Sequence, residues 1–130
     1  MNKIEMENRL VDFSVRVVET IESLERKGVN VHLKDQIIRS ATACSLNYGE
    51  AQSAESRKDF IHKLGIVMKE LRETQINLKM LLRFNAECSD ELFNTLIKEN
   101  DELLAIVYRT IETARKNSWI NDTFMDDGRF

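Results

Sequence analysis

The sequence predicts an all-α fold, an antiparallel up-and-down four-helix bundle, from three observations. Proline is absent from the 130 residues and glycine occurs only four times, so the chain has few of the breakers that punctuate sheets and long loops. Apolar residues recur every three or four positions along four separate segments, the period of a helix with one face in a core. The connections between these segments are short, which makes neighbouring helices run antiparallel.

The first helix is expected from about Met6 to Lys27, because Leu10, Phe13, Val17, Ile21 and Leu24 share one face. Gly28 suits its end, since glycine tolerates the left-handed conformation that closes helices. The second begins near Val31 and lines Leu33, Ile37, Ala41, Cys44, Tyr48 and Ala51 along one side. These side chains are mostly small, so the helix should pack closely. Gly49 weakens its middle by about 1 kcal/mol relative to alanine, enough to permit a kink.

Between Gln52 and Ser56 the pattern lapses, and Ser56 with Asp59 three residues on reads as the start of a third helix. That helix should run from Arg57 to Asn85 with Phe60, Leu64, Val67, Leu71, Leu78 and Leu82 inward. Ser89, followed by Asp90 and Glu91, is the expected cap of a fourth, its acids matching the positive end of the helix dipole. Leu92, Leu96, Leu103, Val107 and Ala114 form its stripe, which fades near Asn117. The bundle thus occupies residues 1–117, and 118–130 (SWINDTFMDDGRF) form a C-terminal tail whose Trp119 and Phe124 are candidates to dock on it.

One stripe per helix suffices for a monomer, and this chain has more. Val11, Val15 and Val18 lie off the main face of the first helix, and Phe93, Ile97, Leu104, Tyr108 and Ile111 widen the apolar arc of the fourth. Ile38 and Leu46 do the same on the second. Large contiguous apolar patches are uncommon on soluble monomers, so these residues are the expected interface of a homo-oligomer closed by symmetry.

Composition restricts the chemistry. No apolar run approaches the ~20 residues needed to span a bilayer, and the start, MNKIEMENRL, lacks the pattern of a signal peptide, so a cytoplasmic protein with no membrane partner is expected. Cys44 and Cys88 lack metal-type spacing and read as free core thiols. The only histidines, His32 and His62, have Val29 and Asp59 three residues before them instead of the glutamate of a di-iron bundle. No phosphate-binding loop, dinucleotide fingerprint or nucleophile elbow occurs. The expectation is a non-enzyme without metal or cofactor. One remote alternative is phosphotransfer at His62, where His62, Lys63, Leu64 and Gly65 partly match a phosphotransfer-bundle core with the lysine displaced.

The formal charge of −3, from 19 basic and 22 acidic residues, excludes a surface that binds phosphates throughout. Its distribution is uneven. Residues 57–83 hold seven basic side chains against three acidic ones, and Lys58, Lys69, Arg72, Lys79 and Arg83 fall within an arc of about 80° on a helical wheel, with His62 at the margin. At about 1.5 Å per residue they make a ridge about 37 Å long, able to follow several phosphates of RNA or DNA. The competing expectation is a solvated face whose cations pair with Glu99, Asp101 and Glu102 of the fourth helix, because aromatic side chains for stacking are missing from the ridge.

The stretch from Gln36 to Leu82 resembles the 23S rRNA-intervening-sequence proteins, the S23-type four-helix-bundle family. Arg39 and Ser40, then Asn47, Glu50 and Ala51, then Ser56, Lys58, Asp59 and Phe60, and finally Glu70, Leu71 and Glu73 carry the likeness. With flanking segments it covers about Leu10 to Lys116. The resemblance implies an up-and-down bundle and a homopentameric ring; the family name records where the genes lie, not an activity. A related group of bundle proteins assists reverse transcriptases and binds nucleic acid through a basic surface, which makes a nucleic-acid-processing protein a further candidate partner. Arg39 and Glu50 lie about 20° apart on the wheel with Asn47 between them and the core, and are expected to form a structural polar network, with one another or a neighbouring helix.

The function expected from the sequence is therefore a homo-oligomeric scaffold that binds RNA or DNA through the third helix. The alternative is a protein-protein adaptor without nucleic-acid binding.

Overall fold

The structure, a computed structural model, describes the backbone of residues 1–24, 30–84 and 90–124, and the side chains of all of these except 30 and 118–124. Four helices make up these residues: α1 (Lys3–Glu22), α2 (Asn30–Gln52), α3 (Arg57–Phe84) and α4 (Asp90–Phe124). Each packs on the next in sequence, and α4 returns to α1. The α2–α3 seam is the most extensive and the α1–α4 seam the slightest; no Cα of α1 comes within 8 Å of one in α3, nor any of α2 within 8 Å of one in α4. The bundle is thus a four-cornered ring of helices with α1 and α3 on a diagonal.

Helix starts follow capping chemistry. Asn2 and Glu5 form a capping box, in which the Glu5 amide donates to Asn2 Oδ1 (2.8 Å) and the Asn2 amide to Glu5 Oε2 (3.2 Å). This brings the start of α1 forward from Met6 to Lys3. At α3, the Asp59 amide donates to Ser56 Oγ (3.0 Å), as the sequence indicated. The Asp59 carboxylate accepts from Glu55 instead of Ser56, one residue further out. The expected Ser89 cap of α4 lies outside the described residues.

Helix ends depart further from expectation. α1 stops at Glu22 with Ser23 as its C-cap, short of Lys27, and Gly28 lies outside the described residues. Lys34, fully buried on α2, donates its ammonium to the Leu24 carbonyl, setting a positive charge just past the C-terminus of α1, where the helix dipole favours it. α4 continues to Phe124, beyond the fade expected at Asn117, so the first residues of the supposed tail are helical. Gly49 causes no break in α2.

The core holds most of the expected faces of the first three helices, with Leu24, Phe60 and Leu82 only partly buried against it and Leu81 buried in addition. Leu10, Phe13, Val17 and Ile21 meet Leu33, Ile37, Ala41, Cys44, Tyr48 and Ala51, with Leu64, Val67, Leu71 and Leu78 opposite. Burial is the main cause pushing the Cys44 thiol up to about 12, and its Sγ donates to the Ser40 carbonyl (3.2 Å). Cys44 is a free cysteine; Cys88 lies outside the described residues. On α4, Leu96, Leu103, Val107 and Ala114 are buried, whereas Leu92 is exposed near the start of the helix.

Three residues expected at an oligomer interface belong to this core instead: Phe93, Leu104 and Ile111 are buried within the monomer. The reason is geometric. A corner helix packs against two neighbours and needs a wide apolar arc for them alone, so the width of the arc on α4 does not imply spare surface. Ile97 and Val18 are half-buried, while Val11, Val15 and Tyr108 remain exposed.

Candidate nucleic-acid interface

The solvent face of α3 follows from its sequence. Leu64, Val67, Leu71, Thr74, Leu78 and Leu81 are buried on one side, so residues about 180° away on the wheel must face outward. Lys58, Lys69, Arg72, Lys79 and Arg83 do so, and all five are exposed. None makes an ion pair with another described residue.

The acids expected to neutralise the ridge are engaged elsewhere. Arg9 of α1 donates from Nε and Nη2 to the two carboxylate oxygens of Glu99 (2.8 and 2.7 Å), a bidentate clasp across the α1–α4 seam, and lies 3.7 Å from Glu102. Asp101 accepts from the Gln75 side-chain amide. On the α2 side, Arg39 takes two of the acids of α3, pairing with Glu73 at 2.7 Å and Glu70 at 3.3 Å. The Arg39 hydrogen bond is the largest influence holding the Glu73 carboxyl below its usual range.

The polar triad of α2 is therefore not a mutual network. Arg39 reaches α3, Glu50 pairs with Lys63 of α3 at 3.4 Å, and Asn47 donates to the Ala43 carbonyl of its own helix (2.8 Å). Two of the three satisfy the neighbouring helix, as one form of the expectation had it, but through separate partners and at the surface.

Beside the ridge, a cleft of about 590 Å³ opens between α2 and α3, lined by Gln36, Arg39, Lys69, Arg72, Glu73, Ile76 and Asn77. Sequence reasoning missed it, although the signal was present: Gln36 and Arg39 occupy successive turns facing the α2–α3 seam. His62, at the ridge margin, is exposed, as is His32, whose Nε2 lies 2.7 Å from the Gln36 side-chain nitrogen. Among the described residues no group of three or more histidine, cysteine or acidic side chains is arranged to hold a metal, and no helix is long and apolar enough to cross a membrane.

The profile of the 23S rRNA-intervening sequence proteins matches residues 2–109, most of the chain. The chain belongs to the 23S rRNA-intervening sequence protein family. Its structure is similar to the crystal structure of a protein with unknown function from the S23 ribosomal protein family of Bacteroides thetaiotaomicron. The two share 30% identity and a TM-score of 0.77 over 86% of this chain and 99% of the other. No curated protein matches. In this member of the intervening-sequence family, the ridge lies on α3 and the cleft between α2 and α3.

Proposed function

We propose that this protein is a non-enzymatic, homo-oligomeric scaffold, a pentameric ring, that binds RNA or DNA through the exposed face of α3. The observation that carries this reading is the row of five exposed cations without ion pairs among the described residues, in a chain whose net charge is negative. Exposed cations without ion pairs along about 37 Å match the spaced charges of a nucleic-acid backbone.

Assembly and binding use different corners of the bundle. Ile4, Val11 and Val15, all exposed, lie along one side of α1, diagonal to α3. A ring closed through α1 leaves the ridges uncovered, and several ridges in one assembly raise the affinity for a polyanion by effective concentration.

A gel-shift titration over salt, paired with mass measurement of the assembly, tests this. The expected result is an oligomer that retards RNA or DNA and releases it as salt rises. An oligomer indifferent to nucleic acid at low salt would instead support the protein-protein adaptor.

A further inference from the structure

We propose that the nucleic acid held by α3 is single-stranded, with one base lodged in the cleft between α2 and α3. This inference rests on the nucleic-acid reading above and adds the form of the ligand.

The ridge is not only charged. Ile76, Met80 and Phe84, spaced by four, are 48%, 37% and 64% exposed. On the wheel Ile76 falls in the middle of the cations, and Met80 and Phe84 follow toward the α2 side. A duplex presents phosphates and sugars outward and keeps its base faces stacked, so exposed apolar side chains gain little from it. A single strand presents those faces, and proteins that hold it combine cations along the backbone with surfaces on which bases rest. Phe84 supplies the aromatic contact that the wheel places beyond the ridge.

The cleft adds a place for one base. Lys69, Arg72 and Ile76 belong to both ridge and cleft, so a phosphate held by the two cations brings its neighbouring base to the opening. Its volume of about 590 Å³ lies within the range of small-molecule sites. Gln36 and Asn77 place side-chain amides on the wall, each with donor and acceptor atoms suited to a base edge. Glu73, held ionised against Arg39, repels a second phosphate from the interior and favours entry of the uncharged base.

The test compares fluorescence anisotropy of a labelled, unstructured oligonucleotide with that of its duplex at one salt concentration, with DNA and RNA as separate arms. Single strands are expected to bind at least about tenfold more tightly than the duplex. Ile76→Ala leaves every charge in place and substitutes an exposed position, so it should fold and lose most of the preference. A fluorescent purine analogue within the strand should brighten on binding as it leaves the stack of its neighbours, and much less with Ile76→Ala. Equal affinity for duplex and single strand, or a preference untouched by Ile76→Ala, would overturn the proposal while salt-dependent binding stands. No binding of either form by the wild-type protein would remove both readings.

Discussion

Asn100 is fully buried on α4, and neither atom of its amide has a hydrogen-bond partner among the described residues. An unpaired buried amide costs about 1 to 3 kcal/mol, and leucine keeps the same branched shape with methyl groups in place of the amide oxygen and nitrogen. Asn100→Leu is therefore expected to raise stability, by less than that amount because the methyls are bulkier than the amide, in denaturant unfolding; a lower unfolding midpoint would show that the amide is satisfied in the assembled protein or that the site has no room for the methyls. The sequence hinted at this residue only as a gap, since Leu96, Asn100, Leu103 and Val107 follow the core spacing. Ser14, Ser40 and Thr74 fill similar gaps on the other helices. Ser14 Oγ donates to the Ala41 carbonyl (2.6 Å), so in its 2.6 Å contact with Ser45 the proton comes from Ser45, while the Ser40 and Thr74 hydroxyls meet at 2.7 Å. Apolar periodicity finds the rows of a core, and it is blind to polar residues whose partners lie on another helix.

Glu73 gives a pH dependence with a defined sign. Its folded-state carboxyl titrates below the ordinary range because Arg39 donates to the ionised form. Its contribution is complete above the unfolded-state value and disappears as pH falls through the lowered folded-state value. Both side chains are partly exposed and screened, so the effect is at most about 1 kcal/mol. Glu73→Gln should be less stable than wild type near neutrality, with the gap closing in acid; a gap that widened as pH fell would contradict the pairing.

For a whole helix, caps and packing decide what propensity leaves open. Gly49 lies within α2, and a Cβ added there would meet nothing within 4 Å. Gly49→Ala should therefore stabilise the protein by about 0.5 to 1 kcal/mol, read as a rise in melting temperature, because the helix no longer orders a glycine backbone. A fall would indicate that another copy approaches this position. The apolar row of α2 was legible in the sequence because its period is unbroken from Leu33 to Ala51, whereas the buried Lys34 and Ser40 beside it were not. The ends were less so: α1 begins on an asparagine-glutamate box outside the apolar pattern, and α4 continues past its last periodic core residue. The breadth of the α4 arc misled for a related reason, since the wheel shows which residues share a side but not how many neighbours cover it.

Across the whole molecule, charge is sorted more sharply than in the sequence. The chain is acidic, yet Arg9 draws Glu99 and Glu102 to the α1–α4 seam and Arg39 draws Glu70 and Glu73 to the α2–α3 seam, leaving the outer face of α3 basic. The wheel showed the cations; it could not show the destinations of the acids, because each is set by an arginine on a different helix. The most direct measurement is the slope of log affinity against log salt for an oligonucleotide, with wild-type protein and with Lys69→Glu/Arg72→Glu. Wild type should show a steep negative slope, and the double variant should bind more weakly with a slope shallower by about 1 to 2, as expected for two lost phosphate contacts. An unchanged affinity and slope in a folded, assembled double variant would contradict the account.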